Sequence, residues 1–473
     1  MSITRRAFIA ASGALALSPA ARVRGANEDV RVAILGVRGK GQQHMQQFAA
    51  IPGVRVVSVC DPDRKVLEER AAEAGVSNDA AVTDLRRVLD NPNVDAVVIA
   101  TPNHWHALAT IWACQAGKDV YVEKPCSHTI WEGRQMIAAA RKHGRIVQVG
   151  TQRRSDEHLR QLFEQLRGGE LGAIQRVRVL HYRWRESIGK VAGPQRAPAH
   201  VDYNLWAGPA PLSPILRQQF HYDWHWFWET GNGELGNNGP HAIDLALWVL
   251  GYDHLAPRVQ SVGGRFVWDD DGETPNTQII YYDYQPAPIL AEIRNLPDRA
   301  ASRNSDQYKG LRAGIIVECE GGYFAGMDGG AIYDNNGKQV RKIGGDSGRH
   351  HPANFIEAVR SRKVANLTCD IAQGDLSTAL CHQGNISHRL GSAVAVAEVR
   401  ESIQDEPLLA DAYERMAEHL RANAPQGAAE PVTLGPIVEF DAHAQRFTGR
   451  HAEAANAQLR GDYRSPFVVP ELA

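Results

Sequence analysis

The stretch at residues 224–244, WHWFWETGNGELGNNGPHAID, combines tryptophan, histidine and asparagine side chains with closely spaced glycines. Glycine at this density destabilises the interior of helices and strands, so the stretch is a poor candidate for a structural core. Tryptophan faces suit the apolar faces of sugar rings, and His, Asn and Glu suit their hydroxyl groups. We interpret the stretch as the wall of a polar small-molecule site. A glycine-rich surface loop beside an aromatic cluster is the alternative.

A second candidate site follows the first predicted strand. Residues 30–35 (VRVAIL) have a strand pattern, the turn GVRGKG follows at 36–41, and a second strand pattern leads to Asp61. A helix N-terminus after such a turn binds pyrophosphate, and a carboxylate about 20 residues further on accepts hydrogen bonds from the ribose. The spacing predicts a dinucleotide, and Asp61 favours NAD because a carboxylate repels the 2′-phosphate of NADP. Arg38 stands where the usual motif has its second glycine. We therefore expect Gly39 to adopt the backbone conformation of the tight turn.

Strand and helix patterns alternate up to residue 150 and predict a doubly wound parallel sheet. Loops after the carboxyl ends of such strands line the ligand crevice, which brings the segments at 101–106 (TPNHWH) and 123–125 (EKP) to one mouth. The predicted cofactor-binding residues are Gly36, Arg38, Gly39, Lys40, Gly41, Asp61, Thr101, Pro102, Asn103, His106, Glu123 and Lys124.

Together these motifs resemble the Gfo/Idh/MocA family of glucose–fructose oxidoreductases and inositol dehydrogenases. The matching segments are GVRGKG, CDPD, TPNHWH, VEKPCSH and GNGELGNNGPHAIDLALWVLG, and two later ones, HPANFIEAVRSRK and STALCHQGNISHRLG, are similar to an exported bacterial branch. The resemblance covers nearly all of the mature chain. It implies an α/β protein with an N-terminal Rossmann domain and a C-terminal α+β domain whose sheet is open and mostly antiparallel. Alternating patterns such as residues 174–182 support those strands independently.

Lys124 and His241 are the predicted catalytic residues. A lysine beside a bound nicotinamide can polarise a substrate hydroxyl group, particularly if burial lowers its pKa. In the family, a histidine exchanges the proton of the hydroxyl that is oxidised, and an aspartate four residues earlier binds or orients the substrate. Here that earlier position is Asn237, which can hydrogen-bond a hydroxyl group but cannot act as a base. The proton transfer therefore falls on His241 or Lys124.

The remaining candidates would contact the substrate. The predicted substrate-binding residues are His104, Tyr182, Arg183, His225, Trp226, Trp228, Glu234, Asn237 and His241. His104 and His106 form an HxH pair, but neither an HExxH motif nor a carboxylate-rich set accompanies them, so we predict no metal site.

The N-terminus carries a twin-arginine pattern, TRRAFI, followed by a short apolar run. This pattern predicts a signal peptide and export in the folded state, to the periplasm or the outside of the cell. The expected divisions are a signal peptide at 1–26, an NAD-binding domain at 27–150, a substrate domain at 151–391 and a peripheral helical and extended tail at 392–473.

Overall composition limits the partners. The net charge of −2 offers no electrostatic reason to bind nucleic acid, and no segment after the signal peptide reaches the length of a membrane span. The family resemblance implies a homo-oligomer, because an open sheet face in this family usually pairs with a partner.

The sequence predicts an NAD-dependent oxidoreductase that transfers hydride to or from a sugar, sugar alcohol or glycoside, with tightly bound NAD. One alternative is an NAD-dependent glycoside hydrolase, which oxidises C3, eliminates the glycosidic bond, adds water and reduces the ketone back. A second alternative is a non-catalytic binding protein on the same fold, which the intact Gly36, Gly41, Asp61, Lys124 and His241 disfavour.

We expect Asp61→Ala to weaken NAD binding far more than NADP binding, because only the NAD ribose offers both hydroxyl groups to the carboxylate. Titration of the purified protein with each nucleotide measures the difference. Equal losses for the two nucleotides would remove Asp61 from the ribose site.

Overall fold

A computed structural model describes residues 29–424 and 431–472, so the predicted signal peptide at 1–26 lies outside the described residues. The first domain is a six-stranded parallel sheet in the order β3-β2-β1-β4-β5-β6. Its strands are Val30–Leu35 (β1), Val54–Cys60 (β2), Ala81–Val82 (β3), Ala96–Ile99 (β4), Asp119–Val122 (β5) and Val147–Val149 (β6). Its helices are Gly39–Ala49 (α1), Arg64–Ala74 (α2), Leu85–Leu89 (α3), Asn103–Gln115 (α4) and Ile130–Lys142 (α5).

The strand order reverses between β1 and β4, and this reversal opens the crevice in which doubly wound folds bind ligands. The turn that enters the crevice depends on two glycines. Gly36 has a φ of +79°, and a Cβ atom there would lie 2.7 Å from the carbonyl oxygen of Ala100. A Cβ at Gly41 would lie 1.8 Å from the carbonyl oxygen of Gly36. Only glycine therefore lets α1 start so close to β1.

The second domain carries a large mixed sheet whose pairings are antiparallel except for β7 with β10. The predicted fold class is confirmed. The strands of its main part are Ile174–Tyr182 (β7), Arg258–Gly264 (β8), Thr277–Tyr282 (β9), Ile289–Arg294 (β10), Ala313–Cys319 (β11), Gly322–Gly326 (β12), Gly330–Tyr333 (β13) and Gln339–Ile343 (β14). The helices up to residue 389 are Glu157–Arg167 (α6), Tyr203–Ala207 (α7), Gly233–Leu250 (α8), His351–Ser361 (α9) and Ile371–Arg389 (α10).

One face of this sheet packs against α8 and α10 and forms the main core of the second domain. In β7 the inward positions are Val177 and Val179, and His181 follows them on the same face. By contrast, α9 returns to the first domain, where Phe355 packs with Phe48 and Tyr121. The boundary predicted at residue 150 therefore separates the two sheets, but not all of the helices that cover them.

The region after residue 391 is less peripheral than predicted. Three of its strands join the large sheet: Ser392–Val394 (β15), Val432–Leu434 (β16) and Val438–Asp441 (β17). Its helices are Val396–Ile403 (α11), Pro407–Asn423 (α12) and Ala452–Asn456 (α13), and a last strand, Arg446–Thr448 (β18), pairs with β17. Helices α11 and α12 pack on the second face of the sheet, over β8, β9 and β10. The predicted homo-oligomer depends on an open sheet face that pairs with a partner. Helices α11 and α12 of the same chain cover part of that face, and the homo-oligomer stays a prediction.

All six cysteines are buried and unbridged. Among the residues that the structure describes, no helix is long and apolar enough to cross a lipid bilayer.

We expect Leu409→Ala to lower the free energy of unfolding by about 2–5 kcal/mol, because this fully buried side chain holds α12 against the sheet. Glu418→Ala, at an exposed position of the same helix, should change it by less than about 0.5 kcal/mol. Chemical denaturation of both variants measures the difference. Equal midpoints would mean that α12 is not part of the cooperative fold.

Candidate active site

A cavity of about 720 Å³ opens at the carboxyl ends of β1, β2, β4 and β5. We call it the cofactor cavity. Every predicted cofactor residue lines it except Gly41, whose role is the close packing of α1 described above. The opposite wall comes from the second domain, through residues 219–225 and the beginning of α8.

The cavity fits a dinucleotide. A Cβ atom built on Gly39 would meet no atom within 4 Å, so the first turn of α1 presents bare backbone to open space. Its free N–H groups and the helix dipole favour a pyrophosphate there. At the end of β2, Asp61 accepts hydrogen bonds from the N–H groups of Val37 and Asp63, both at 3.0 Å. Burial raises the pKa of the Asp61 carboxyl to about 6, which leaves it mostly ionised at neutral pH.

Lys124 joins the two domains at the centre of the site. Its Nζ donates a 2.7 Å hydrogen bond to the carbonyl oxygen of Asn237 in α8, and burial lowers its pKa. The neighbouring Glu123 lies 2.7 Å from Nε2 of His44 and 3.8 Å from Nζ of Lys40. Burial alone would raise the pKa of Glu123, but these two partners hold it well below its usual range. The result is a fixed anion directly before the lysine.

His241 lies one turn after Asn237 on α8. Its Nδ1 is buried and has no hydrogen-bond partner in the described part of the chain, and the residue lines the cofactor cavity. Burial, reinforced by the positive charge of Lys124, holds the pKa of His241 well below its ordinary value. A neutral imidazole in this position can accept a proton.

A second space of about 550 Å³ meets the cofactor cavity at Gln152 and His241. We call it the distal cavity. Its lining includes Gln152, Arg153, His181, Arg183, Asn238 and His241. Because Gln152 and His241 line both cavities, a substrate held in the distal cavity would reach the cofactor cavity beside His241.

Several predicted substrate residues do not reach either cavity, contrary to the prediction. Tyr182 lies on the other sheet face and donates a 2.6 Å hydrogen bond to Glu292. Trp226 is buried under the guanidinium of Arg185. Glu234 is fully buried and acts only through its neighbours.

His104 and Trp228 border a separate pocket near the C-terminal segment. Both ring nitrogens of His104 lie near backbone carbonyl oxygens, of Trp206 at 3.0 Å and of Thr230 at 3.3 Å. His104 therefore ties loops together and is turned away from the place where a substrate would bind. His106 does line the cofactor cavity, although its ring also contacts two carbonyl oxygens. Neither histidine belongs to a metal-binding group among the described residues.

The structure places Arg183, His225, Asn237 and His241 at the cavities, together with His181, Arg153 and Gln152, and substrate binding by these residues stays a prediction. His181 carried a signal in the sequence. It continues the apolar inward face of β7, where burying a polar imidazole without a hydrogen-bond partner costs free energy. Arg153 and Gln152 lie in the short turn after β6, whose path the sequence does not indicate.

A segment of the second domain, residues 200–225, crosses the adenosine side of the cofactor cavity, and we call it the strap. The N–H of Arg64 donates to the carbonyl of His200 at 2.9 Å, the N–H of Asp202 to that of Pro62 at 3.0 Å, and His221 contacts Asp63 at 2.8 Å. The C-terminal segment holds the strap from outside, because Arg464 donates to the side chain and backbone of Asn204.

Two sequence profiles match the chain and together span just over half of it. One, described as an oxidoreductase family with an NAD-binding Rossmann fold, matches residues 30–151, and the other, the C-terminal alpha/beta domain of the same Gfo/Idh/MocA family, matches residues 169–292.

Two curated relatives match part of the chain. Scyllo-inositol 2-dehydrogenase (NAD(+)) of Bacillus subtilis strain 168 is 33% identical over 144 residues, which is 30% of this chain and 42% of that protein. A glycosyl hydrolase family 109 protein of Shewanella sp. strain W3-18-1 is 32% identical over 120 residues, which is 24% of this chain and 26% of that protein. The chain thus spans less than half the length of either relative.

Among solved structures, the WlbA dehydrogenase of Bordetella pertussis, in complex with NADH and UDP-GlcNAcA, superposes with a TM-score of 0.56 at 20% identity. The superposition covers 76% of this chain and 96% of that chain. At this identity the likeness establishes the two-domain fold.

We expect Lys124→Ala and His241→Ala each to lower turnover about a hundredfold or more, as loss of an acid–base group does. The melting temperature should barely change, because both side chains line a cavity. Lys142→Ala and His254→Ala, at exposed positions, are the matched controls. A large fall in melting temperature with activity retained would assign both residues a structural role instead.

Proposed function

The chain belongs to the Gfo/Idh/MocA oxidoreductase family, and we propose that it transfers hydride between bound NAD and a hydroxyl-bearing carbon of a sugar, sugar alcohol or glycoside. The observation that carries this proposal is that Lys124, Asn237 and His241 all line the cofactor cavity and that His241 also lines the distal cavity. A polar substrate in the distal cavity would there meet both a proton acceptor and the cofactor.

The residues of the cofactor cavity have distinct roles in this proposal. The α1 N-terminus holds the pyrophosphate, and Asp61 holds the adenosine ribose. When bound, NAD supplies the hydride acceptor. Lys124 polarises the substrate hydroxyl group, and the neutral His241 accepts its proton. Asn237 lacks the charge of the family's usual aspartate, so His241 carries the base role without an acidic partner at that position.

We also propose that NAD is held tightly. The strap supports this, because a bound dinucleotide would lie between the first domain and residues 219–224, and release would require the strap to separate from α2 and from Arg464. Export in the folded state, proposed from the twin-arginine pattern at Arg5 and Arg6, would make tight binding necessary. A protein outside the cytoplasm has no nicotinamide pool from which to replace a lost cofactor.

A second candidate function is redox-assisted glycoside cleavage, which is favoured by the partial similarity to a glycosyl hydrolase family 109 protein. In this reaction one substrate is oxidised and later reduced again, so NAD ends each turnover unchanged. Tight retention suits this cycle as well as a cycle that reduces a second substrate.

We expect the full-length protein, expressed with its own signal sequence and purified without added nucleotide, to carry NAD(H). Mass spectrometry of acid-released nucleotide measures its amount. Methyl and 4-nitrophenyl pyranosides should then be converted over many turnovers without steady accumulation of NADH at 340 nm. Arg464→Ala should accelerate NAD loss on dialysis, because it removes the hydrogen bond that Arg464 donates to Asn204 of the strap. The control variant Arg450→Ala, at an exposed position, should leave the rate of NAD loss unchanged.

Protein that is purified empty, and that reacts only with stoichiometric added NAD, would contradict retention and favour an ordinary dehydrogenase. Cell fractionation of the wild type and of a variant with Arg5 and Arg6 both changed to lysine tests export separately. Identical location of the two proteins would contradict the twin-arginine route.

A further inference from the structure

The roles of Lys124 and His241 leave one histidine of the distal cavity without a task. His181 is 7% exposed, and its cavity is the one that His241 also lines. We propose that His181 is the base that removes a proton from the substrate carbon next to the carbonyl formed by hydride transfer, with Glu234 as its positioning residue. This inference rests on the proposed function and favours its glycoside-cleaving form.

Glu234 faces one nitrogen of the imidazole. Its Oε1 lies 2.9 Å from Nε2 of His181, a close charged contact whose angle is not that of a regular hydrogen bond, and the carboxylate is itself fixed by Arg185, whose Nε and Nη2 donate at 2.7 and 3.0 Å. Asn238 donates a further hydrogen bond to Oε1 at 2.6 Å. Glu234 has no exposed surface, so water does not compete for these contacts.

This arrangement determines which nitrogen of His181 can act as a base. A carboxylate that faces Nε2 favours the tautomer with the hydrogen on Nε2, and Nδ1 then keeps its lone pair. Within the part of the chain that the structure describes, no group forms a hydrogen bond with Nδ1 of His181, and the cavity lies beside the ring. A carboxylate that orients a histidine whose second nitrogen faces a reactant is a recurring arrangement for general bases.

Charge balance alone does not explain His181. Arg185 already offers Glu234 a two-point contact, which is the strong form of carboxylate pairing, so the buried anion has its counter-charge without the histidine. The position also follows two inward valines of β7, where an apolar side chain would pack at no desolvation cost. A base that borders the cavity accounts for both observations.

The reaction has two distinct proton transfers, which explains a need for two bases. Bound NAD would take up the hydride from C3, and His241 would accept the proton of the C3 hydroxyl group. Nδ1 of His181 then accepts the proton of C2, and the C–H electron pair forms the enolate. The enolate expels the glycosidic oxygen from C1, which takes a proton and leaves as an alcohol. Water adds across the C1–C2 double bond, hydride returns to C3, and the net reaction is hydrolysis.

The test measures two steps in the same protein. Methyl and 4-nitrophenyl gluco- and galactopyranosides are supplied in D2O to the holoenzyme. Reduction of bound cofactor is followed at 340 nm in the first turnover, and deuterium entering C2 by NMR. His181→Gln keeps a donor near Glu234 but lacks the base, so the ratio of C2 exchange to cofactor reduction should fall at least about a hundredfold. Glu234→Gln should lower the same ratio, and His254→Gln, at an exposed position, should leave it unchanged.

His181→Asn gives the same comparison should the glutamine variant fail to fold. Cofactor reduction together with undiminished C2 exchange in the His181 variants would overturn the assignment of His181 alone. Wild-type protein that reduces its cofactor without any C2 exchange would also overturn it. Absence of cofactor reduction with every pyranoside would overturn the glycoside-cleaving form of the proposed function and this inference with it.

Discussion

The hydrogen bond from Lys124 to the carbonyl of Asn237 joins the two domains at the point where chemistry is proposed. Lys124 comes from the loop after β5, and Asn237 from the second turn of α8, 113 residues later in the chain. Pro240 lies inside α8 close by and offers no backbone N–H to the helix. Lys124 and His241 line the same cavity, so the site is assembled from residues of both domains.

Burial and neighbouring charges determine the ionisation of the side chains at this junction. Glu123 keeps its charge because His44 and Lys40 contact it, whereas His241 is kept neutral by its surroundings and by Lys124. A carboxylate with a lowered pKa, a lysine whose pKa burial also lowers and a neutral imidazole thus line one cavity, and perturbed groups of this kind suit acid–base chemistry on a hydroxyl group. The strap contacts the first domain at Pro62 and Arg64, and Arg464 contacts the strap at Asn204.

The sequence predicted most of the first domain because its signals are local. A strand, a glycine turn and an acid at fixed spacing determine the cofactor cavity, and only Gly41 changed role, from ligand contact to packing. The substrate-binding residues were predicted less well because amino-acid composition does not reveal which way a side chain points. Trp226 and Tyr182 have suitable side chains, but helix and strand geometry turn them into the core or to the other sheet face. His181 was not predicted as a site residue, because it lies within a strand pattern. Its partner Glu234 lies 53 residues later in the chain, so their contact is not visible from local spacing.

The central claim is that an enclosed cofactor is oxidised and reduced in place at the junction of the two cavities. The most direct measurement follows a pyranoside deuterated at C3 while the protein turns over in a large excess of unlabelled NAD. The account predicts that deuterium returns to C3 of the product or passes to a second substrate, with no label in the free nucleotide. Deuterated NADH that accumulates in solution in proportion to product would contradict it.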